Sequence, residues 1–284
     1  MQLTNIGEIR RLFDLCGFSF SKSLGQNFLI NPTVCPRIAE LGRCAKDACA
    51  LEIGTGVGVL TRELAQRCEK VAAVEIDERL KPILEETLAD LDNVEVVFAD
   101  VMQIDLAEFI AEKFGERDVV VCANLPYYIT SPVIMKVLES RLRIKAMTVM
   151  VQREAADRIC AAPGTRECGA LTYAVNYYSD PKLLFKVNRG SFMPAPNVDS
   201  AVIRLDIKQT APVPENEERL LFRIIRAGFS QRRKQLVNPL SAALDVPKTE
   251  IARSLSEIGI KPAARAEELT LEDYIKLAHY YSLK

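Results

Sequence analysis

Ala48-Cys49-Ala50-Leu51-Glu52-Ile53-Gly54-Thr55-Gly56-Val57-Gly58-Val59-Leu60 is the stretch on which the fold class turns. An apolar run of strand length, Ala48–Ile53, meets a turn with glycine at every second position, and a helical pattern, Leu60–Cys68, follows. Glycines there let the backbone bend tightly and let a ligand approach where a Cβ would collide. Taken alone, the turn is read equally well as a sharp strand-to-helix connection. A dinucleotide fingerprint wants glycine at the sixth position of GxGxxG, and Val59 stands there.

Working outward, Val71–Ile76, Val94–Ala99, Val119–Ala123 and Ala146–Val151 are further strand-length runs, with Glu78–Leu91 rich in helix formers between two of them. Strands alternating with helices imply parallel pairing and a sheet covered on both faces, an α/β fold. Leu183–Val187 and Ala201–Ile207 flank a loop with glycine and proline and read as an antiparallel pair added to the sheet edge. The polar, proline-bearing Gln209–Glu218 reads as a linker. Helical patterns follow at Arg219–Phe229, Thr249–Ile258 and Leu271–Tyr281, with Thr270 and Asp273 as a cap for the last. The expected organisation is a catalytic α/β domain over 1–208 and a small all-α domain over 209–284.

Composition narrows the class without deciding it. With 284 residues, 49% hydrophobic and 26% charged, the chain has material for one large core and a smaller one. A net charge of −1 restricts any nucleic-acid surface to a local patch. The eight cysteines form no CxxC pair and the single histidine, His279, stands far from them, so no metal site is expected. Scattered cysteines fit buried free thiols of a reducing compartment. The N-terminus lacks the apolar core of a signal peptide, and no run approaches the ~18 apolar residues of a membrane span. The expectation is a soluble, cytoplasmic protein without membrane partners. With no oligomerisation seam in the sequence, it is expected to be monomeric.

Three residues mark the carboxyl ends of successive strands: Glu75, 21 positions after Gly54, then Asp100, then Asn124. Ligands of open α/β sheets sit at those ends. A carboxylate at Glu75 can accept hydrogen bonds from both hydroxyls of a ribose, and Asp100 is placed to meet an adenine. Any one of them alone would be read as a cap or turn residue. Asn124-Leu125-Pro126-Tyr127 suits a different task. The exocyclic amine of adenine is a poor nucleophile because its lone pair is delocalised into the ring. An amide oxygen and a nearby carbonyl can accept hydrogen bonds from that amine, orienting it and favouring its developing charge. Tyr127 offers a ring on which an unstacked base can rest.

The order of EIGTGVG, Glu75, Asp100 and NLPY resembles that of class I S-adenosylmethionine-dependent methyltransferases with a Rossmann-like sheet. Adding Leu24–Leu29 (LGQNFL), Asn124–Ile134 (NLPYYITSPVI), Val151–Ile159 (VQREAADRI) and Phe192–Leu205 (FMPAPNVDSAVIRL), the chain resembles the KsgA-type ribosomal RNA adenine dimethyltransferases. The resemblance implies that Asn27, Leu29, Gly54, Gly56, Glu75, Asp100 and Asn124 bind S-adenosylmethionine. It implies that Asn124, Leu125, Pro126 and Tyr127 form the chemical site, with Phe192 sandwiching the target base against Tyr127. It further implies two methyl transfers to each of two adenines of small-subunit ribosomal RNA, within a ribosomal subunit or its precursor. Thr55 departs from the proline the family often has there. The resistance methyltransferases of large-subunit RNA share the core motifs, and a non-catalytic assembly factor or a DNA adenine methyltransferase are the other readings.

The last expectation concerns RNA. If Arg219–Arg233 is helical, Arg219, Arg223, Arg226 and Arg233 share one side, with Leu221, Ile224, Ile225 and Gly228 opposite. Arg223, Arg226, Arg232, Arg233 and Lys234 are therefore the expected RNA-binding residues, through phosphate contacts that position without reading sequence.

Overall fold

The computed structural model describes residues 2–21 and 24–283. The strands are β1 (Phe28–Leu29), β2 (Cys49–Ile53), β3 (Lys70–Glu75), β4 (Val94–Phe98), β5 (Val119–Asn124), β6 (Ile144–Gln152), β7 (Ser179–Val187), β8 (Phe192–Met193) and β9 (Ser200–Ile207). The helices are α1 (Ile6–Leu15), α2 (Val34–Leu41), α3 (Val59–Arg67), α4 (Lys81–Thr87), α5 (Leu106–Phe114), α6 (Thr130–Glu139), α7 (Arg153–Ile159) and α8 (Ala170–Tyr178), then α9 (Glu215–Ser230), α10 (Val237–Leu244), α11 (Lys248–Glu257) and α12 (Leu271–Ser282).

Seven strands form one sheet in the order β4-β3-β2-β5-β6-β9-β7. Parallel pairing joins β4 through β6, and β9 runs antiparallel to β6. Strand β2 is buried at every position, and β5 at all but its last, as a strand covered on both faces must be. From β2 the chain winds outward through β3 and β4, then returns to place β5 on the other side of β2. That reversal makes a crevice at the carboxyl ends of β2 and β5, where open α/β sheets bind ligands. A separate ribbon pairs β1 with β8, setting Leu29 opposite Phe192.

The chain divides into two compact units, residues 1–156 with 181–207, and residues 157–180 with 208–284. The break after Ile207 lies one residue from the boundary expected from the linker. Residues 157–180, which the sequence reading placed in the first domain, instead group with the C-terminal helices. The reason is α8, whose Tyr173 and Tyr177 are fully buried. Tyr173 packs against Phe229 and Tyr274 with ring centroids 5.3 and 4.9 Å apart, and Tyr177 meets Phe222 at 5.1 Å. Glu218 accepts hydrogen bonds from the Tyr177 and Tyr178 hydroxyls at 2.7 and 2.8 Å.

Elements also differ from expectation in length. In place of one long helix over Glu78–Leu91 there is a 3-10 turn, Glu78–Leu80, followed by the short α4. Asp77 caps that turn through the Arg79 N–H, and Pro82 sits in the first turn of α4. In the second unit, α9 buries Leu221, Ile224, Ile225 and Gly228 as the pattern required, but it ends at Ser230. The Ser230 hydroxyl donates to the Ala227 carbonyl at 2.6 Å, a local bond that competes with the helix ladder. Arg232, Arg233 and Lys234 therefore lie on a turn beyond the helix and do not extend its basic stripe. The cap on α12 is as read: the Thr270 hydroxyl accepts the Asp273 N–H at 3.1 Å.

Candidate active site

A cavity of about 240 Å³ opens in the first unit at the carboxyl ends of β2, β3 and β5. Its lining includes Asn27, Leu29, Gly54, Gly56, Glu75, Asp100, Asn124, Leu125, Pro126, Tyr127 and Phe192, so every cofactor and catalytic candidate of the sequence reading meets in one place. The β1–β8 ribbon accounts for the most distant pair. By pairing Leu29 with Phe192, it brings the GQNFL and FMPAP segments to the same wall.

Gly54 and Gly56 have φ of +82° and +58°, left-handed values that a Cβ penalises. A Cβ on Gly56 would meet the Phe28 ring only at ordinary contact distance, 3.5 Å, so the constraint there is the backbone conformation. The turn aims the Gly56 N–H at Glu75 Oε2, 3.1 Å away, while Glu75 Oε1 accepts the Asp77 N–H at 3.0 Å. Glu75 is 6% exposed, and burial raises its pKa above the usual carboxylate range despite these bonds. Asp100 Oδ1 accepts the Met102 N–H at 2.8 Å, which fixes the loop after β4. Thr55 keeps the turn closed through its carbonyl, which accepts the Gly58 N–H at 3.0 Å. Its buried hydroxyl has no partner.

Asn124 ends β5 with its side chain half-buried, and its Nδ2 donates to the Asn27 carbonyl at 3.4 Å. That bond sets the orientation of the amide and leaves Oδ1 as an acceptor. Tyr127 begins the 3-10 turn Tyr127–Ile129, and its hydroxyl bonds the Ser200 hydroxyl at 2.8 Å. Phe192 is 4% exposed and lines the same cavity. Among the described residues no ring contact joins Phe192 to Tyr127.

Glu52 is an acid that the sequence reading treated only as part of the glycine motif. It is fully buried in β2, and neither carboxyl oxygen has a well-formed hydrogen bond. Burial pushes its pKa up to about 8, and the Thr61 hydroxyl beside it offsets only part of that rise. The folded protein thus holds a proton there that the unfolded chain releases near its ordinary carboxylate pKa. Stability is then present at acid pH and lost as pH rises toward 8, on the order of 4 kcal/mol over that window. Glu52→Gln is expected to flatten this decline and raise the melting temperature at pH 8; equal melting temperatures across the pH range would contradict it.

In the second unit, Arg219 pairs with Glu215 at 2.8 Å, and Arg223 donates to the Ala243 carbonyl. Arg232 donates to the Arg166 carbonyl and lies 3.9 Å from Glu267. Arg226, Arg233 and Lys234 are exposed.

Residues 17–283 match the family described as Ribosomal RNA adenine dimethylase. The chain is 47% identical over 277 residues to Ribosomal RNA small subunit methyltransferase A of Geobacillus thermodenitrificans, covering 96% of this chain and 94% of that protein. The protein of the same name from Bacillus mycoides is 48% identical over 268 residues, covering 93% and 91%. This chain belongs to the ribosomal RNA adenine dimethylase family. Two solved structures resemble this family member over most of its length. A dimethyladenosine transferase from Plasmodium falciparum superposes with a TM-score of 0.78 at 27% identity, covering 90% of this chain and 98% of that one. The 23S rRNA methyltransferase ErmE superposes with 0.71 at 28% identity, covering 89% and 98%.

Within this dimethylase-family cavity the sequence reading passed over Gln26, Ile76, Met102 and Tyr128. Ile76 and Tyr128 are 51% and 59% exposed. Both directly follow residues that were singled out, and exposed apolar side chains at the carboxyl edge of a sheet are the signal that identifies such positions.

Proposed function

We propose that this chain transfers methyl groups from S-adenosylmethionine to the exocyclic amines of adjacent adenines in small-subunit ribosomal RNA, giving N6,N6-dimethyladenosine. The observation that carries the reading is the convergence of Glu75, the Gly54–Gly56 turn and Asn124 on one cavity. The name shared by the relatives at 47% and 48% identity supports the small subunit as the acceptor. In this reading the protein acts as a monomer in the cytoplasm, on a ribosomal subunit or its precursor. The first unit would bind cofactor and base, and the second would contact RNA.

The lining suits the cofactor. Glu75 keeps acceptor capacity for ribose hydroxyls, and Asp100, which lines the same cavity, would meet the nucleobase end. S-adenosylmethionine supplies an electrophilic methyl on a sulfonium that departs as a neutral thioether. The protein's task is then to place the amine and to stabilise the charge growing on it. Asn124 Oδ1, oriented through Asn27, accepts an N6–H and draws electron density toward the attacking lone pair. Leu125, 2% exposed, and Pro126 anchor the backbone after Asn124 beside the cavity. Tyr127, tethered to Ser200, and Phe192 offer the faces between which a flipped base can stack. The alkylated N6 is acidic and sheds its proton without a strong base.

Labelled S-adenosylmethionine with small ribosomal subunits that lack the modification tests the proposal, and labelled dimethyladenosine is the expected product. Binding without transfer would favour an assembly factor. Label found only in large-subunit RNA would move the chain toward the activity in ErmE's name, and label in duplex DNA toward a DNA enzyme.

The basic residues of the second unit are read as phosphate contacts. Arg226, Arg233 and Lys234 are the strongest candidates, since Arg223 and Arg232 already donate to backbone carbonyls. Replacing these three with alanine is expected to weaken RNA binding and reduce the salt slope by roughly 2 to 3. An unchanged slope in binding titrations across salt concentrations would exclude the surface.

A further inference from the structure

The site has two working ends on different strands. Glu75 ends β3 and Asn124 ends β5, with β2 between them. Hydrogen bonds that do not pass through β2 connect the two. The Gln26 Nε2 donates to Asp77 Oδ2 at 2.7 Å, and Gln26 Oε1 accepts the Ser21 N–H at 2.9 Å. Asp77 in turn donates its own N–H to Glu75 Oε1 at 3.0 Å. One residue along from Gln26, the Asn27 carbonyl accepts the Asn124 amide at 3.4 Å. The path runs Glu75–Asp77–Gln26–Asn27–Asn124.

Asp77 is built for this place. It is 5% exposed and does not line the cavity. Arg79 grips both of its oxygens, with Nε 2.8 Å from Oδ1 and Nη2 2.7 Å from Oδ2. The guanidinium holds the carboxyl below its usual pKa, so it stays an ionised acceptor for Gln26. Gln26 lines the cavity, yet both ends of its amide are engaged within the protein. A hydrogen bond between an amide and a buried carboxylate contributes more than a neutral pair, because the charge strengthens it.

We infer that Asp77 and Gln26 are positioning residues, which hold the carboxylate of Glu75 and the amide of Asn124 in mutual register so that cofactor and target amine are aligned together. The inference rests on reading the cavity as the S-adenosylmethionine site. The competing account is that Asp77 only caps the turn Glu78–Leu80, through the Arg79 N–H at 3.2 Å.

Gln26→Met separates the two accounts, because it cuts the link and leaves the cap and the Arg79 pair in place. Calorimetry with S-adenosylmethionine and turnover at saturating cofactor and RNA are measured for Gln26→Met, Asp77→Ala and the double variant. Loss of one charge-assisted bond is expected to raise the Kd for S-adenosylmethionine about tenfold. Turnover at saturation should fall in the same variants, and the double variant should be no worse than Asp77→Ala, since both cut one link. Gln26→Met that binds and turns over like the natural protein overturns the inference. So do effects that simply add, or a lowered melting temperature with unchanged Kd and turnover. Failure of the natural protein to bind S-adenosylmethionine would overturn the cofactor reading itself, and is seen in the same titration.

Discussion

Asn124→Ala is expected to slow methyl transfer by about a thousandfold while leaving S-adenosylmethionine affinity within a few-fold. Removing the amide takes away the acceptor at the nitrogen where charge develops, and that interaction strengthens only as the reaction proceeds. An interaction of that kind appears in the rate more than in ground-state binding. Alanine also leaves the Asn27 carbonyl without its donor, but this bond is long, 3.4 Å, and its loss alone is a small effect. Single-turnover rates on unmodified subunits, beside calorimetric cofactor titrations, read the two quantities separately. Asn124→Ala with near-natural rates would remove the residue from the chemistry.

Glu75→Ala is expected to raise the Kd for S-adenosylmethionine about a hundredfold, from the loss of two hydroxyl contacts to a charged acceptor. The loss extends beyond the ligand. The Gly56 and Asp77 N–H groups both end on this carboxylate, so alanine leaves two donors without partners at the cofactor turn. Glu75→Gln restores an acceptor and should fall between the two. The raised pKa of Glu75 adds a pH signature. As pH falls, the carboxylate is protonated earlier than an ordinary one, and affinity for the ribose hydroxyls should fall with it. Equal affinity of Glu75→Ala and the natural protein in calorimetry would contradict the assignment.

The parallel strands were legible because β2 and β5 are covered on both faces and so are apolar apart from Glu52 and the terminal Asn124, while their neighbouring turns are marked by glycine, aspartate or asparagine. Helix α8 was not, since ALTYAVNYY buries six of its nine residues and has no polar face from which a helical period could be read. Helix α1 depends on the Asn5 cap, whose side chain accepts the Gly7 and Glu8 N–H groups, and on packing of Ile9, Leu12 and Phe13. A short amphipathic run near the terminus shows neither in isolation. In the site, the conspicuous residues of strand ends were found, and the residues that brace them were not. Glu52 could not be separated from Glu75 by type, because what distinguishes them is whether backbone N–H groups reach the carboxylate. Asp77 and Gln26 lie 51 positions apart, and only the fold brings them together.

The β1–β8 ribbon has a consequence for the order of events during synthesis. Beside it, Asn31 Nδ2 donates to the Ser191 hydroxyl at 3.1 Å across 160 positions of chain. Contacts of such separation form only after the intervening loop has closed, which places them late in folding. A nascent chain released before Phe192 would carry the glycine turn, Glu75 and Asn124, yet lack one wall of the cavity. The cavity is therefore complete only once just over two thirds of the polypeptide has been made.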